Sequence, residues 1–248
     1  QNTVHLLPGT YSRTDNDQVF PIALKSWTIV QGSGMENTEV IGELHQLLST
    51  GINPHNDVFM INYQPVVTLS GLSIRAQNSS NDSALYGVCL GSVSLSNLRI
   101  SNINLDESAA IDLWLTDEHD SDWFNVVIEN LESSKRGVVF VGGATADGAM
   151  SGSIENCVFR NLTSTYTSVS VWADPLVQIM GNGNLAFDNC EFSDLSMSDD
   201  NSYAIALGGV QFPQQRNNFS FKNCLFSNNT SQGGIVLVNS KNNPNVSI

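Results

Sequence analysis

Six stretches of this sequence repeat one arrangement of apolar and polar positions: LSGLSIRAQ (69–77), LSNLRISNI (95–103), FNVVIENL (124–131), IENCVFRNL (154–162), FDNCEFSDL (187–195) and FKNCLFSNN (221–229). They align without gaps around Gly71, Asn97, Asn125, Asn156, Asn189 and Asn223, at spacings of 26, 28, 31, 33 and 34 residues. The shared pattern is small-or-Asn, apolar, any, apolar, any, then Asn or Asp. Alternation after the anchor predicts a strand with one apolar side chain inward, the next outward and the third inward again. Leu72 and Ile74, Leu98 and Ile100, Val126 and Ile128, Cys157 and Phe159, Cys190 and Phe192, and Cys224 and Phe226 are therefore expected inside. A second strand is predicted before the anchors, at 110–115, 137–141, 168–172, 204–207 and 234–238.

Two or more short strands per repeat, joined by polar turns, leave no room for a helical crossover in each. Stacked coils satisfy the pattern, each strand pairing with its equivalents about 4.8 Å above and below. Variable spacing argues against a strictly periodic left-handed hexapeptide helix, and the repeats are too short for four-stranded propeller blades. The expected fold is all-β: one right-handed parallel β-helix over 1–248, of roughly eight coils, with first coils over 1–57 and regular coils over 58–248. The anchor asparagines then share one turn position, where Asn tolerates left-handed backbone and can bond its neighbours in a ladder. Cys157, Cys190 and Cys224 fall in one inward column, as apolar-like buried thiols. Neither terminus carries a cap, so the chain reads as a piece of a longer protein.

Composition narrows the function classes. Charged residues are only 14% of the chain, and 24 Asp+Glu against 10 Lys+Arg leave a net charge of −14. Such a surface repels phosphate backbones, and Lys135-Arg136 is the one adjacent basic pair, so nucleic acid is excluded as a partner. No apolar run approaches the roughly 20 residues that cross a bilayer, so no membrane insertion of this segment is expected. Sequons at Asn78, Asn81, Asn161, Asn218, Asn228, Asn229 and Asn245 hint at secretion and surface exposure, although an Asn- and Ser-rich chain generates them by chance. Cys89, Cys157, Cys190 and Cys224 do not have zinc-site spacing.

The first 42 residues carry Val4-His5-Leu6-Leu7-Pro8-Gly9-Thr10-Tyr11, then Phe20-Pro21-Ile22, Trp27-Thr28-Ile29-Val30-Gln31-Gly32 and Thr38-Glu39-Val40-Ile41-Gly42. This opening resembles the first coils of the pectin-lyase-like β-helix superfamily, in particular a secreted branch with a Pro-Gly-Thr-Tyr first coil. Phe226-Ser227-Asn228-Asn229 with Gly233-Gly234-Ile235 also resembles repeats of bacterial autotransported surface proteins. The superfamily resemblance implies a right-handed parallel β-helix, but it spans lyases, hydrolases, epimerases, tailspikes and adhesins, so it leaves the function open.

Asp199-Asp200 is the one echo of a polygalacturonase-like carboxylate pair, and it lies in a Ser/Asp-rich turn. Lyases need cations around the substrate carboxylate and a base for the α-proton. The six Arg and four Lys are expected to be scattered along the stack, with no such cluster. Calcium could substitute at the acidic loop 116–122, with Asp117, Glu118, Asp120 and Asp122 as oxygen ligands. Asp117-Glu118-His119-Asp120 resembles the Asp-Pro-His-Asp motif of mannuronan epimerases without its Pro. That resemblance implies His119 as base and Asp117 or Asp120 as its partner. Aligning the second strands puts Trp114, Val141 and Trp172 in one outward column, with Leu113, Phe140 and Val171 inward. Trp114 and Trp172 could then stack on sugars or dock a protein. The resulting expectation is a non-catalytic extracellular or cell-surface module that contacts a polysaccharide or a neighbouring surface protein. It requires no cofactor apart from any Ca²⁺ at the acidic loop. The alternatives are a polyuronide lyase or C5-epimerase at that loop, and a structural segment of a surface filament.

Overall fold

The structure is a computed structural model. It describes residues 2–18, 22–25, 27–43, 59–77, 85–105, 109–115, 118–133, 139–143, 149–165, 176–179, 183–198, 204–207, 217–231, 236–238 and 245–247. Strand takes up 74% of it and helix 3%, so the fold is all-β, as expected. Every strand pairing among the described residues is parallel, and the strands form three ladders that make a parallel β-solenoid.

The first ladder climbs through Val4, Val30, Leu69, Leu95, Trp123, Ile154, Phe187 and Phe221. A second passes through Tyr11, Val40, Ile74, Ile100, Ile128, Phe159, Phe192 and Phe226. The third contains Ile22, Phe59, Leu85, Ile111, Val139, Val177, Ile205 and Val236. Single long strands, such as Phe59–Gln77 and Leu85–Leu105, contribute to all three by turning corners.

The corner between the first and second ladders is one residue in left-handed backbone. Gly71, Asn97, Asn125, Asn156, Asn189 and Asn223 all have φ between 49° and 67°. Only Gly, Asn and Asp adopt this conformation cheaply, which is why the anchor tolerates little else. Asn125 donates its amide to Asn97 Oδ1 at 2.8 Å, and Asn189 donates to Asn156 Oδ1 at 2.7 Å, so the expected side-chain ladder forms. The pattern's final Asn-or-Asp proves to be a second left-handed bend five residues later, at Asn102, Asn130, Asn161, Asp194 and Asn228. The glycine ending the early strand also has a steric reason. A Cβ on Gly32 would lie 2.2 Å from the Gly71 carbonyl oxygen on the next rung.

Inside, side chains stack at the strand spacing. Leu72, Ile74, Leu98, Ile100, Val126, Ile128, Cys157, Phe159, Cys190 and Phe192 are buried as expected, while Cys224 and Phe226 are half-buried. The core is aliphatic in the earlier coils and aromatic in the later ones. Phe159 and Phe192 stack with centroids 4.9 Å apart, Phe192 and Phe226 at 5.0 Å, and Phe187 and Phe221 at 4.6 Å. Each buried ring adds roughly 1.5–3 kcal/mol of hydrophobic stabilisation. Cys157, Cys190 and Cys224 are free thiols in the inward column, each donating to backbone carbonyls.

One register expectation fails. Trp114 pairs with Val88 and Gly142, and Leu113 pairs with Val141, so the column combining Trp114 with Val141 is off by one residue. Ile111, Asp112 and Leu113 are all buried, so this strand does not alternate. A run buried on both sides carries no period to set its register.

Candidate functional site

The outward positions of the second ladder bring together side chains far apart in sequence. Two residues past the corner stand Ser73 and Arg99, with Glu39 paired beside Ser73. Four past it stand Arg75, Ser101, Glu129, Arg160 and Ser193. Strand alternation points both sets away from the core. Three of the six arginines thus share one face, which corrects the expectation that the cations are scattered. The signal was present in the repeat alignment, where Arg75, Glu129 and Arg160 occupy the same offset from the anchor.

These charges pair across rungs. Arg75 Nε donates to Glu39 Oε1 at 2.6 Å. Arg99 approaches Glu36 at 3.0 Å and Glu129 at 3.5 Å. Arg160 bonds the other oxygen of Glu129, and that bond raises the already high pKa of its guanidinium. Glu129 is the best enclosed of the set, its side chain 12% exposed, and joins two arginines into one network. Around this network lies a groove of about 700 Å³, bordered by Gly9, Thr10, Met35, Glu36, Asn37, Glu39, Ser73, Arg75, Arg99, Ser101, Asn102 and Glu129. The Pro-Gly-Thr-Tyr segment therefore supplies part of its rim. Hydroxyls, amides, guanidinium groups and carboxylates offer donors and acceptors in near-equal charge balance.

The acidic segment is built differently from the expected loop. Residues 118–122 begin the strand Glu118–Ser133, with Glu118, His119 and Asp120 paired to Ala149, Met150 and Ser151. Asp120 and Asp122 are exposed, whereas Ser121 and Trp123 are buried, with Trp123 Nε1 donating to Ser121 Oγ at 2.9 Å. The acidic density suggested a turn, but Ser121, between Asp120 and Asp122, is an inward position of a strand. Asp122 Oδ1 accepts from the Ser153 backbone N–H at 3.0 Å, so it ties adjacent rungs together. Asp117, Trp172 and Asp199-Asp200 lie outside the described residues, as do the side chains of Trp114, Glu118 and His119. Among the described residues no group of three His, Cys, Asp or Glu is placed to hold a metal ion.

Of the sequons, Asn78 and Asn81 lie outside the described residues, as does the side chain of Asn245. Asn161, Asn218 and Asn228 are exposed, and Asn229 is half-buried. Sequence reasoning also passed over Trp27, which is 53% exposed and has φ of 57°, an uncommon conformation for a bulky residue.

No protein-family model and no curated protein matches the chain. Among solved structures, pectin methylesterase from Yersinia enterocolitica is similar over 95% of this chain and 89% of its own, at TM-score 0.42 and 12% identity. An α-1,3-glucanase catalytic domain is similar over 99% of this chain and 64% of its own, at TM-score 0.22 and 12% identity. The A-module of an Azotobacter vinelandii mannuronan C-5 epimerase is similar over 95% and 91%, at TM-score 0.22 and 10% identity. The esterase and the epimerase are parallel β-helix proteins of the pectin-lyase-like fold.

Proposed function

We propose that this chain is a polysaccharide-binding β-helix module, non-catalytic and working outside the cell or at its surface, with the glycan seated in the groove between Thr10 and Glu129. The observation that carries this reading is the composition of the groove: donors and acceptors of both signs, three carboxylates against two guanidinium groups, arrayed across successive rungs. A hydroxyl-rich chain lying along the rungs can satisfy such a surface without a net ionic requirement. The arginines and glutamates hold one another in place, which pre-organises the site and lowers the ordering cost of binding. Their mutual pairing also argues for binding, since it occupies the cations that a lyase would direct at a substrate carboxylate.

The three arginines on one face do favour a second reading, a polyuronide lyase or epimerase in which an anionic sugar displaces Glu39 or Glu129 from Arg75 or Arg99. Affinity electrophoresis of the intact chain through neutral glucans, mannans and xylans, and through pectate and alginate, tests both. Retardation by a neutral glycan, weakened about tenfold in Arg99→Gln and Ser101→Ala together, is the expected result. Unsaturated uronate ends or solvent-proton exchange at C5, lost in Arg99→Gln, would replace the first reading by the second. Absence of both retardation and product would remove the glycan reading and leave a structural segment.

A further inference from the structure

Four described sequon asparagines differ in what their side-chain amides do, and the difference bears on modification. Asn161 donates Nδ2 to Asn130 Oδ1 at 2.7 Å, and Asn218 donates Nδ2 to Asn184 Oδ1 at 2.5 Å. Asn229 is bound still more firmly: Nδ2 donates to the Phe192 carbonyl at 2.8 Å, and Oδ1 accepts from the Leu195 N–H at 3.0 Å. All three amides therefore link one rung to the next. Asn228, beside Asn229 in the overlapping sequons Asn228-Asn229-Thr230 and Asn229-Thr230-Ser231, is exposed, and its side chain makes no hydrogen bond with a described residue. Its left-handed backbone, φ 54°, turns it outward at the second bend.

We infer that Asn228 is an N-glycan acceptor, and that Asn161, Asn218 and Asn229 are sequons by composition whose amides belong to the fold. In the modification, Asn228 Nδ2 forms a bond to the anomeric carbon of a polyprenyl-diphosphate-linked oligosaccharide, loses one proton, and the lipid diphosphate leaves. Position supports the assignment. The column Asn102, Asn130, Asn161, Asp194, Asn228 runs along the stack, and Asn102 borders the groove. At the strand spacing, Asn161 stands two rungs from Asn102, about 10 Å, while Asn228 stands four rungs away, about 19 Å. A glycan on Asn161 would break an amide pair and crowd the groove; one on Asn228 does neither.

The overlap of two sequons supplies a clean test. The full chain is secreted from a eukaryotic host, and the monomeric fraction is mapped by enzymatic deglycosylation in heavy-oxygen water with peptide mass spectrometry. The expected result is occupancy at Asn228, with Asn161, Asn218 and Asn229 unmodified. Thr230→Val removes the Asn228 sequon but retains that of Asn229, and should abolish modification of this segment. Ser231→Ala does the reverse and should leave it intact. An unoccupied Asn228 would overturn the proposal, as would a folded monomer with glycan on Asn161, Asn218 or Asn229.

Discussion

At the corner between the first two ladders, each coil relies on a single residue whose backbone most amino acids resist. Asn156 is a mid-stack example, with φ of 55° and an amide oxygen that accepts from Asn189. Asn156→Ala imposes the left-handed penalty of about 1–2 kcal/mol and removes a hydrogen bond worth about 1 kcal/mol. Asn156→Gly removes the bond but keeps the conformation accessible. Urea unfolding should therefore rank Ala as the more damaging change by about 1 kcal/mol; equal losses would show that the backbone conformation is not what selects Asn here. The neighbouring cysteine column allows a second prediction. The hydrogen bond with Cys157, and then burial, push the Cys190 thiol far above its ordinary pKa, and burial raises Cys224 as well. Reactivity follows the thiolate and its access; the hydrogen bond with Cys190 lowers the pKa of the Cys157 thiol, but that side chain is fully buried, so access sets the order. Alkylation of the folded protein at pH 8, read by peptide mapping, should label half-buried Cys224 before Cys157 and Cys190, and speed up as pH rises. Rapid labelling of Cys190 would place that thiol outside the core.

Ladders of identical side chains set the energetics of the elements. Phe192 is fully buried and has rings stacked on both sides, so Phe192→Ala leaves a cavity that neither neighbour can close without breaking its own stacking. A loss of about 3–5 kcal/mol is expected. Phe226→Ala should cost less than half as much, because Phe226 is already half-buried. Parity between them in chemical denaturation would count against the stacked core. These elements were legible in the sequence where one face is wet and the other dry: alternation after Asn97, Asn125 or Asn156 assigns Ile100, Ile128 and Phe159 to the interior without ambiguity. Legibility failed at Ile111–Leu115, where burial of Asp112 along with its neighbours erased the period. It failed again at 120–122, where the outward Asp120 and Asp122 outweighed the small inward Ser121. The groove was hidden for another reason. Arg75, Arg99 and Glu129 are separated by 24 and 30 residues, and proximity arises from rung stacking, which only the repeat offset encodes.

Over the whole molecule, each coil contacts only the coils above and below it, so stability is close to a sum of nearest-neighbour terms. The ladders give this a concrete form: Phe192 faces Phe159 and Phe226, whereas Leu95, Leu98 and Ile100 lie several rungs away. Damage at Phe192 should therefore remain local. In a compact two-state domain, losing 3–5 kcal/mol lowers hydrogen-exchange protection everywhere by the same free energy. Here the Phe192→Ala chain should lose protection at Val158–Ser164, Glu191–Met197 and Leu225–Ser227, while amides of Val67–Ser70 and Val93–Ser96 keep wild-type rates. The groove borders those earlier coils, so the same variant should retain the glycan binding of the parent chain. Hydrogen exchange by mass spectrometry with native binding measured in parallel separates the cases. A uniform loss of protection would mean that the coils fold as one cooperative unit, and the groove would then weaken with the distant core.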